Sequence, residues 1–331
     1  IDQQVAHWGA WLADLGSEIG IVQASVCVET VPDMGGALER QVAARLDANA
    51  PAIALSVVRD AVSQYRAGAA QLRCTVTLTF DTKRMSVKKR STDQVAREIG
   101  TRLPHLTHSL GASGTGPVHL LTAVDVTRLV RVAYDPASEP LFEEAAAAGQ
   151  EIDIDWEDAG PIGAHASFDS FRHDSGLSRT WVLTKAPTGV VQSRVLSDLL
   201  SISRDVERKR VTLLLRPIDA AMTGDIVERD IKTAKAAVGM SKIARVSSEY
   251  DVAIALKNAQ EEASGAGLVD FTVLVTATVT GDDLDDTAAA ITALVSASKL
   301  RMRPAYGAQD SAFALALPLG VIPSWQKVWS I

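Results

Sequence analysis

The clearest alternation of apolar and polar residues runs over positions 71–80, where apolar residues from Leu72 to Phe80 alternate with Arg and Thr. A period of two residues is typical of a strand that buries one face. The same pattern predicts a half-buried strand over 19–30, whose apolar face is formed by Val22, Ala24, Val26 and Val28. Further strands are predicted over 151–156, 179–185, 209–216, 268–280 and 311–317, and one more after the glycine-rich turn at 111–116.

Helical spacing of apolar residues fills the intervals between these strands. The chain opens with an amphipathic segment in which Val5, Trp8, Trp11 and Leu12 share one helical face. The triplet that begins at Ser91 marks another helix start, because Ser, Thr and Asp favour the position before the first turn. Further helices are predicted over 36–49, 51–67, 190–203, 220–263 and 282–298, and one follows the strand after residue 116.

These elements predict an α+β protein. Helices inserted between amphipathic strands usually cover one face of a mixed or antiparallel sheet, which gives a split-βαβ, ferredoxin-like arrangement. The length of 331 residues favours two compact units over one. Because the segment over 136–176 mixes Pro, Gly, Asp and Glu, we place the junction there and predict two α+β domains, 1–150 and 151–331, each with its own sheet.

Composition narrows the classes of function. A formal net charge of -7 disfavours direct nucleic-acid binding, because that affinity comes mainly from clustered Lys and Arg. No run approaches the roughly 20 apolar residues of a membrane-spanning helix, so the chain as given is expected to be soluble. It begins at Ile1 rather than Met, which indicates processing or an upstream segment outside this chain. Cys27 and Cys74 lie in predicted strands, where two core thiols are favoured and one isolated disulfide stays an alternative.

No segment supplies a complete catalytic or cofactor motif. The phosphate-binding sequence G-x-x-x-x-G-K-[ST] does not occur, and the glycine-rich turn at 111–116 leads into Pro117 rather than a lysine or a helix start. His105, His108 and His119 are close in sequence, but a further ligand and the H-E-x-x-H spacing are missing. No G-x-S-x-G surrounds Ser113. We therefore predict no catalytic, cofactor-binding or metal-binding residues and no cofactor.

Short runs of like charge have structural interpretations. The acids over 151–158 alternate with apolar residues, as in a strand with one wet face, and those over 282–286 fit the first turn of a helix. The latter run lacks the glycine and distal glutamate of a calcium loop. The basic runs over 83–90 and 207–210 adjoin strand ends, where Lys and Arg shield sheet edges from mispairing. Phosphate or an anionic leaflet is the alternative ligand for these basic runs.

Short phrases of a recognisable kind extend over nearly the whole chain. They are Val28-Glu29-Thr30, Ala50-Pro51-Ala52, Asp158-Ala159-Gly160-Pro161, His173-Asp174-Ser175, Ser178-Arg179-Thr180-Trp181, residues 209–214 with Arg216-Pro217, Glu228-Arg229-Asp230, residues 261–268, residues 301–307, Gln309, Phe313 and Leu317-Pro318-Leu319-Gly320. Together they resemble an actinobacterial integral membrane protein family of integrative and conjugative elements.

In that family, transmembrane helices precede the soluble part. The soluble part resembles the N-terminal, non-ATPase region of the conjugation ATPases of type IV secretion, which also ends in a strand with an aromatic residue and a Leu-Pro-Leu-Gly-like phrase. The resemblance implies a membrane anchor upstream of Ile1 and a soluble region on the cytoplasmic side of the cell membrane. It supplies no catalytic residues.

The resemblance therefore implies a non-catalytic structural component of a conjugation or type IV-like secretion apparatus, encoded by a mobile genetic element and acting through protein–protein contacts. The expected partners are protein components of the transfer machinery with a conjugation ATPase among them, the membrane through the upstream segment, and further copies of the chain. Two alternatives stay open. One is an accessory nucleic-acid-binding protein that uses residues 83–90, and the other is an enzyme with a metal site at His105, His108 and His119.

Overall fold

The computed structural model describes most of the chain. The described residues are 2–32, 42, 45–47, 50–65, 70–85, 91–111, 116–185, 194–203, 205–218, 220–240, 252–257, 259–260 and 269–322.

Helices and strands are interspersed along these residues. The helices are α1 (Asp2–Ser17), α2 (Ala52–Tyr65), α3 (Thr82–Met85), α4 (Thr92–Leu110), α5 (Ala123–Tyr134), α6 (Glu139–Ala147), α7 (Ser197–Leu200), α8 (Ala220–Met240), α9 (Asp285–Ala297) and α10 (Gln309–Ala316). The strands are β1 (Ile21–Pro32), β2 (Ala70–Phe80), β3 (Ala164–Ala166), β4 (Phe171–His173), β5 (Gly176–Lys185), β6 (Arg208–Pro217), β7 (Val269–Val279) and β8 (Arg301–Pro304). Short 3₁₀ turns occur at Pro136–Ser138 and Trp156–Asp158.

The strands form one antiparallel sheet in the order β2-β1-β6-β7-β5-β4-β3, and β8 pairs with β5. In the centre of β5, Trp181 lies opposite Val275 of β7. Toward its end, Val182 lies opposite Arg303 of β8. The predicted α+β class is confirmed, and of the two predicted kinds of sheet, mixed or antiparallel, the structure has the antiparallel one. The strands of both halves of the sequence nevertheless join a single sheet, because β6 pairs with β1 on one side and with β7 on the other.

The chain divides into two compact units. Unit 1 comprises Ile1–Ala24, Leu78–Leu120 and Leu215–Phe271, and unit 2 comprises Ser25–Thr77, Leu121–Leu214 and Thr272–Ile331. The predicted division into domains at residue 150 stays a prediction.

In unit 1, α4 begins at the predicted helix start. Ser91 Oγ accepts a hydrogen bond from the Gln94 amide at 3.4 Å, and Gln94 Oε1 accepts one from the Ser91 amide at 3.1 Å. This reciprocal capping box satisfies two amides that a helix start otherwise leaves unpaired. Farther along α4, Arg102 donates to the carbonyl of Ile19 at 2.7 Å, just before β1.

In unit 2, the two faces of the sheet are covered by different helices. On one face, Ile291 of α9 belongs to the core cluster that contains Trp181 and Val275. On the other, α10 packs against Leu274, the residue next to Val275. Because successive strand residues point to opposite faces, α9 and α10 lie on opposite sides of the sheet.

The predicted polarity of β1 is wrong. Gln23, Ser25 and Cys27 are at most 3% exposed, whereas Val22 and Val26 are only half buried. β1 lies between β2 and β6 rather than at an edge of the sheet. On the same face, Glu29 is paired with the buried Arg210 of the neighbouring strand β6, as described below.

Other differences concern short or exposed segments. The predicted last strand over 311–317 is the helix α10, and its buried residues Gln309, Ala312, Phe313 and Ala316 follow helical spacing. Residues 117–121 and 151–155 are irregular rather than strands, because nearly all their side chains are exposed and no strand pairs with them. Sequence reasoning missed β3, β4 and β8, since three or four residues are too short to show a period.

Several helix predictions are only partly open to comparison. The described part of the predicted helix over 220–263 is helical at Ala220–Met240, 252–257 and 259–260. Most of the predicted helix over 36–49 lies outside the described residues, as does 186–193. Of the predicted helix over 190–203, the described part is helical at Ser197–Leu200.

Both cysteines are free thiols. Cys27 is buried, as predicted, and burial raises the pKa of its thiol to about 12. Cys74 is exposed, so the prediction of a core thiol is wrong there. It lies on β2, the last strand in the sheet order.

Candidate functional site

Five charged side chains meet beside β1, β2 and β6. This charge cluster consists of Glu29, Arg73, Glu139, Arg208 and Arg210. Arg210 Nη2 donates to Glu29 Oε1 at 2.6 Å, and Arg208 Nη2 donates to Glu139 Oε2. Arg73 lies 3.8 Å from Glu29 and 3.7 Å from Glu139. The cluster thereby ties three neighbouring strands to the first residue of α6.

The alternation of β6 explains how the cluster is placed. Arg208 and Arg210 are two residues apart and share one face, whereas Lys209 points to the other face and donates to the Ser201 carbonyl at 2.6 Å. All three residues are buried. Since β6 lies inside the sheet, the prediction that residues 207–210 shield an edge is wrong.

Electrostatic pairing keeps Glu29 and Arg210 ionised. Burial raises the pKa of Glu29, but the guanidinium groups of Arg210 and Arg73 outweigh that effect and hold the pKa below its usual value. Burial likewise lowers the pKa of Arg210, and the Glu29 carboxylate outweighs it, so that this pKa is raised. The Arg210 guanidinium also lies 5.6 Å from the centre of the Phe313 ring. A pair held in its charged form has no proton to exchange near neutral pH, which indicates a structural role.

A chain of hydrogen bonds runs through His173 on the neighbouring strands. His173 Nδ1 lies 2.6 Å from the Tyr134 carbonyl, and Nε2 lies 2.7 Å from Ser178 Oγ. Ser178 Oγ lies in turn 2.7 Å from Thr278 Oγ1. Because a carbonyl only accepts, Nδ1 carries the hydrogen, and in the neutral ring Nε2 accepts from Ser178. The Thr278 hydroxyl then donates to Ser178. The three hydrogen bonds therefore run in one direction, from Thr278 through Ser178 and His173 to the Tyr134 carbonyl.

The pairing of Ser178 with His173 has the distance of a nucleophile and its base. The two side chains, however, are 1% and 0% exposed. A substrate could reach the Ser178 hydroxyl only after local unfolding. This arrangement therefore fastens β4, β5, β7 and α5 together, and it supplies no accessible reaction centre.

A second clamp holds the loop before β3. Arg131 of α5 donates to the Gly160 carbonyl at 2.6 Å and to Asp174. The other oxygen of Asp174 accepts from the Gly163 amide at 2.8 Å. Asp174 sits in the β4–β5 turn at a φ of 41°, where its short polar side chain can satisfy nearby amides. The phrases that contain residues 160, 173 and 174 thus meet at one structural clamp.

The surface of unit 2 carries an open groove, which we call the α9 groove. Its volume is about 570 Å³, within the range of roughly 300–1,000 Å³ that binding pockets occupy. One wall comes from α9, where Ala288, Ala289, Thr292 and Ser296 are small. The other wall comes from β5 and β8, with Trp181 at its base. Small residues on the helix leave the room that defines the groove.

Two stacked aromatic rings stand at the groove. Tyr306 lines it, and the ring of Phe168 from the β3–β4 loop stacks on Tyr306 with centroids 5.0 Å apart. Phe168 is 70% exposed and Tyr306 is 46% exposed. The turn is held by a backbone bond from the Gly307 amide to the Phe168 carbonyl at 2.7 Å. We call Phe168 and Tyr306 the aromatic pair.

The polar groups near the aromatic pair are already matched. Arg179 donates to the carboxylate of Asp169 at 2.8 Å and lies 3.6 Å from Asp285. It also donates to the Asp169 carbonyl at 3.0 Å. These contacts orient the β3–β4 loop and hold Phe168 in place.

The predicted metal candidates lie elsewhere, in unit 1. His105 and His108 are exposed on α4, and His119 is exposed in the loop that follows. Across the described residues, no group of three or more His, Cys, Asp or Glu side chains is placed to hold a metal ion. The enzyme alternative therefore gains no geometric support from these histidines.

Sequence reasoning missed most of the buried polar residues. Glu29 and Arg210 are 181 positions apart, so neither strand pattern could show that they pair. The available signal was the unbroken charge of Arg208, Lys209 and Arg210 at the start of a strongly apolar strand. Charged residues at core positions are usually paired, and that rule would have predicted acidic partners.

No helix among the described residues is both long enough and apolar enough to cross a lipid bilayer. In comparisons with known proteins, no protein-family model matches the chain and no curated protein sequence matches it.

Proposed function

We propose that this chain is a non-catalytic structural component of a conjugation or type IV-like secretion apparatus, acting through protein–protein contacts at the membrane. The resemblance of its sequence phrases to a conjugative-element membrane protein family supports this assignment. The upstream membrane anchor and the cytoplasmic orientation are parts of the same proposal.

The observation that carries the proposal is the aromatic pair beside the α9 groove. Large aromatic side chains at a well-packed surface contribute a disproportionate share of the energy of protein–protein binding. Phe168 and Tyr306 are held by their stacking and by a backbone bond between their loops. A partner that covers them would therefore gain apolar contact at a small cost in side-chain entropy.

The buried polar groups also support a function that depends on the protein surface. Glu29, Arg210 and His173 are paired inside the protein, where they position strands and helices rather than face a substrate. Function in such a molecule lies at its surface, and the α9 groove is a surface feature that combines an exposed aromatic residue, Tyr306, with polar side chains.

The first test is co-purification of the native-length protein from its host membrane, followed by identification of the proteins recovered with it. We expect a conjugation ATPase in stoichiometric amount. The double variant Phe168→Ser with Tyr306→Ser should lose at least about 2 kcal/mol of binding, roughly a 30-fold weakening.

The matched control is Phe271→Ser, which removes an aromatic residue that is 44% exposed on β7. It should leave the recovery of the partner unchanged. A native-length protein recovered alone and without membrane would refute the proposed function. Equal recovery with all variants would refute the aromatic pair as the contact surface.

A further inference from the structure

A small cavity adjoins the charge cluster. Its volume is about 10 Å³, close to the room that a single water-sized particle needs. The cavity is lined by Arg208, Lys209 and Arg210 of β6, Glu29 of β1, Val132 and Ala133 of α5, and Thr276 and Thr278 of β7. All of these residues are in unit 2, so this is a site within one compact unit.

Three guanidinium N–H groups at this site have no acceptor among the described residues. They are Nε of Arg208 and both Nε and Nη1 of Arg210. Arg210 is 5% exposed and Arg208 is 9% exposed, so bulk water does not replace the missing acceptors. A buried charged donor without an acceptor is costly, and such groups commonly mark an unassigned ligand or ordered water.

The charges of the cluster favour a negative ligand. Three guanidinium groups, of Arg73, Arg208 and Arg210, face two carboxylates, of Glu29 and Glu139. Arg73 is 35% exposed and is partly screened by solvent, but both carboxylates are already engaged by the arginines. The three guanidinium groups therefore carry one more unit of charge than the two carboxylates, so the cluster has a net positive charge. A monatomic anion accepts several N–H groups at once.

We propose that the cavity between β6 and α5 is a binding site for one chloride ion, held by the unpaired N–H groups of Arg208 and Arg210. The ion would complete the neutralisation of the cluster and couple α5 to the centre of the sheet. The carboxylate of Glu29 also lines the cavity, and its Oε1 faces Arg210 rather than standing as an unpaired charge.

The test is the chloride dependence of unfolding at constant ionic strength, with sodium gluconate replacing sodium chloride. If the folded state binds one chloride, the unfolding constant falls about tenfold for each tenfold rise in chloride above the dissociation constant. A bound water gives no such dependence. An unfolding constant equal in both salts at every concentration would overturn the proposal.

A matched pair of variants locates the site. Val132→Ile adds one methylene to the cavity wall without changing any charge, and it should abolish the chloride dependence. Val130→Ile makes the same change on the same helix at a buried residue outside the cavity wall, and it should keep the dependence. An effect that survives in both variants would refute this location.

A crystallographic measurement gives an independent answer. Crystals grown with sodium bromide should show an anomalous difference peak between the Arg208 and Arg210 guanidinium groups. Density without an anomalous signal would identify a water and overturn the proposal.

Discussion

His173 joins β4 to α5 and β5 through both ring nitrogens, and its hydrogen-bond chain depends on a neutral ring. Burial lowers its pKa below the ordinary value of 6.5, although the bond to the Tyr134 carbonyl acts in the opposite direction. Protonation would turn Nε2 from an acceptor into a donor. Ser178 and Thr278 would then have to reverse their own donations, which leaves the Thr278 hydrogen to find a new acceptor.

The stability of the protein is accordingly expected to fall in mild acid. Because the folded-state pKa of His173 is lowered, the unfolded chain binds the proton first. The stabilisation is complete above about pH 6.5 and is lost as the pH falls toward the folded pKa, by at most about 1.4 kcal/mol per pH unit. Urea unfolding between pH 8 and 5 measures this loss. In His173→Gln this part of the pH dependence should disappear, whereas His105→Gln, an exposed histidine, should retain it.

The Glu29–Arg210 pair gives a second prediction for single residues. Glu29→Gln leaves the buried Arg210 guanidinium without its carboxylate, and loss of one partner of a buried pair costs about 3–5 kcal/mol. The free energy of unfolding should fall by that order. Asp282→Asn, at a carboxylate whose side chain is 91% exposed, should leave the free energy of unfolding unchanged. A loss below about 1 kcal/mol in Glu29→Gln would mean that solvent already screens Arg210.

Local contacts could be predicted from the sequence, whereas contacts between distant strands could not. The cap at Ser91 was predictable because its partner Gln94 is three residues away. The pairing of Glu29 with Arg210 was not, since it depends on which strands become neighbours. Alternation assigned the valines of β1 to the core, but it could not show that the polar face would meet buried arginines.

At the scale of elements, α10 illustrates how one side chain docks a helix on a sheet. Gln309 Oε1 accepts from the Thr180 amide at 2.8 Å, and Nε2 donates to the Thr180 carbonyl at 3.2 Å. The Gln309 amide thus pairs with β5 as a neighbouring strand would. Thr180 is 0% exposed, so no water can replace Gln309.

Gln309→Leu should therefore destabilise the protein by about 1–3 kcal/mol, the cost of leaving a buried amide unsatisfied. Hydrogen exchange provides the sharper measurement, because the Thr180 amide should lose protection before the rest of β5. Ser311→Ala removes an exposed polar group from the same helix and is the control. Equal protection of Thr180 in both variants would argue against this docking role.

The same helix shows why element type was hard to predict at the end of the chain. Phe313, Leu315 and Leu317 alternate as in a strand, yet the buried set Ala312, Phe313 and Ala316 has helical spacing. Both periods fit a short alanine-rich run, and only the docking at Thr180 selects between them. By contrast, α1 is 16 residues long, and its apolar repeat was sufficient to predict it, whereas α4 was predicted from the start signal at Ser91.

At the scale of the whole molecule, the class of fold followed from the sequence, but the joining of both halves into one sheet did not. A pattern of strands and helices does not specify which strands pair. The placement of β6 between β1 and β7 brings three features together in unit 2. They are the charge cluster, the hydrogen bonds of His173 and the cavity between β6 and α5. The α9 groove had no counterpart in the sequence, because it depends on small residues of α9 facing β5 and β8.

The charge of the whole molecule gives the last prediction, which separates the proposed function from nucleic-acid binding. With a net charge of -7, the chain should not be retained on immobilised double-stranded DNA at 150 mM salt and pH 7.5. Lys83 and Arg84 begin the basic run over 83–90, and Arg84 lies 3.8 Å from Asp81, so part of that charge is locally compensated. Retention that weakens steeply with salt, and that is lost when Lys83, Arg84 and Lys88 are changed to Gln, would favour the nucleic-acid alternative. Passage through the column at every salt concentration would count against the nucleic-acid alternative, and it would leave the proposed protein–protein contact at the α9 groove as the hypothesis to test.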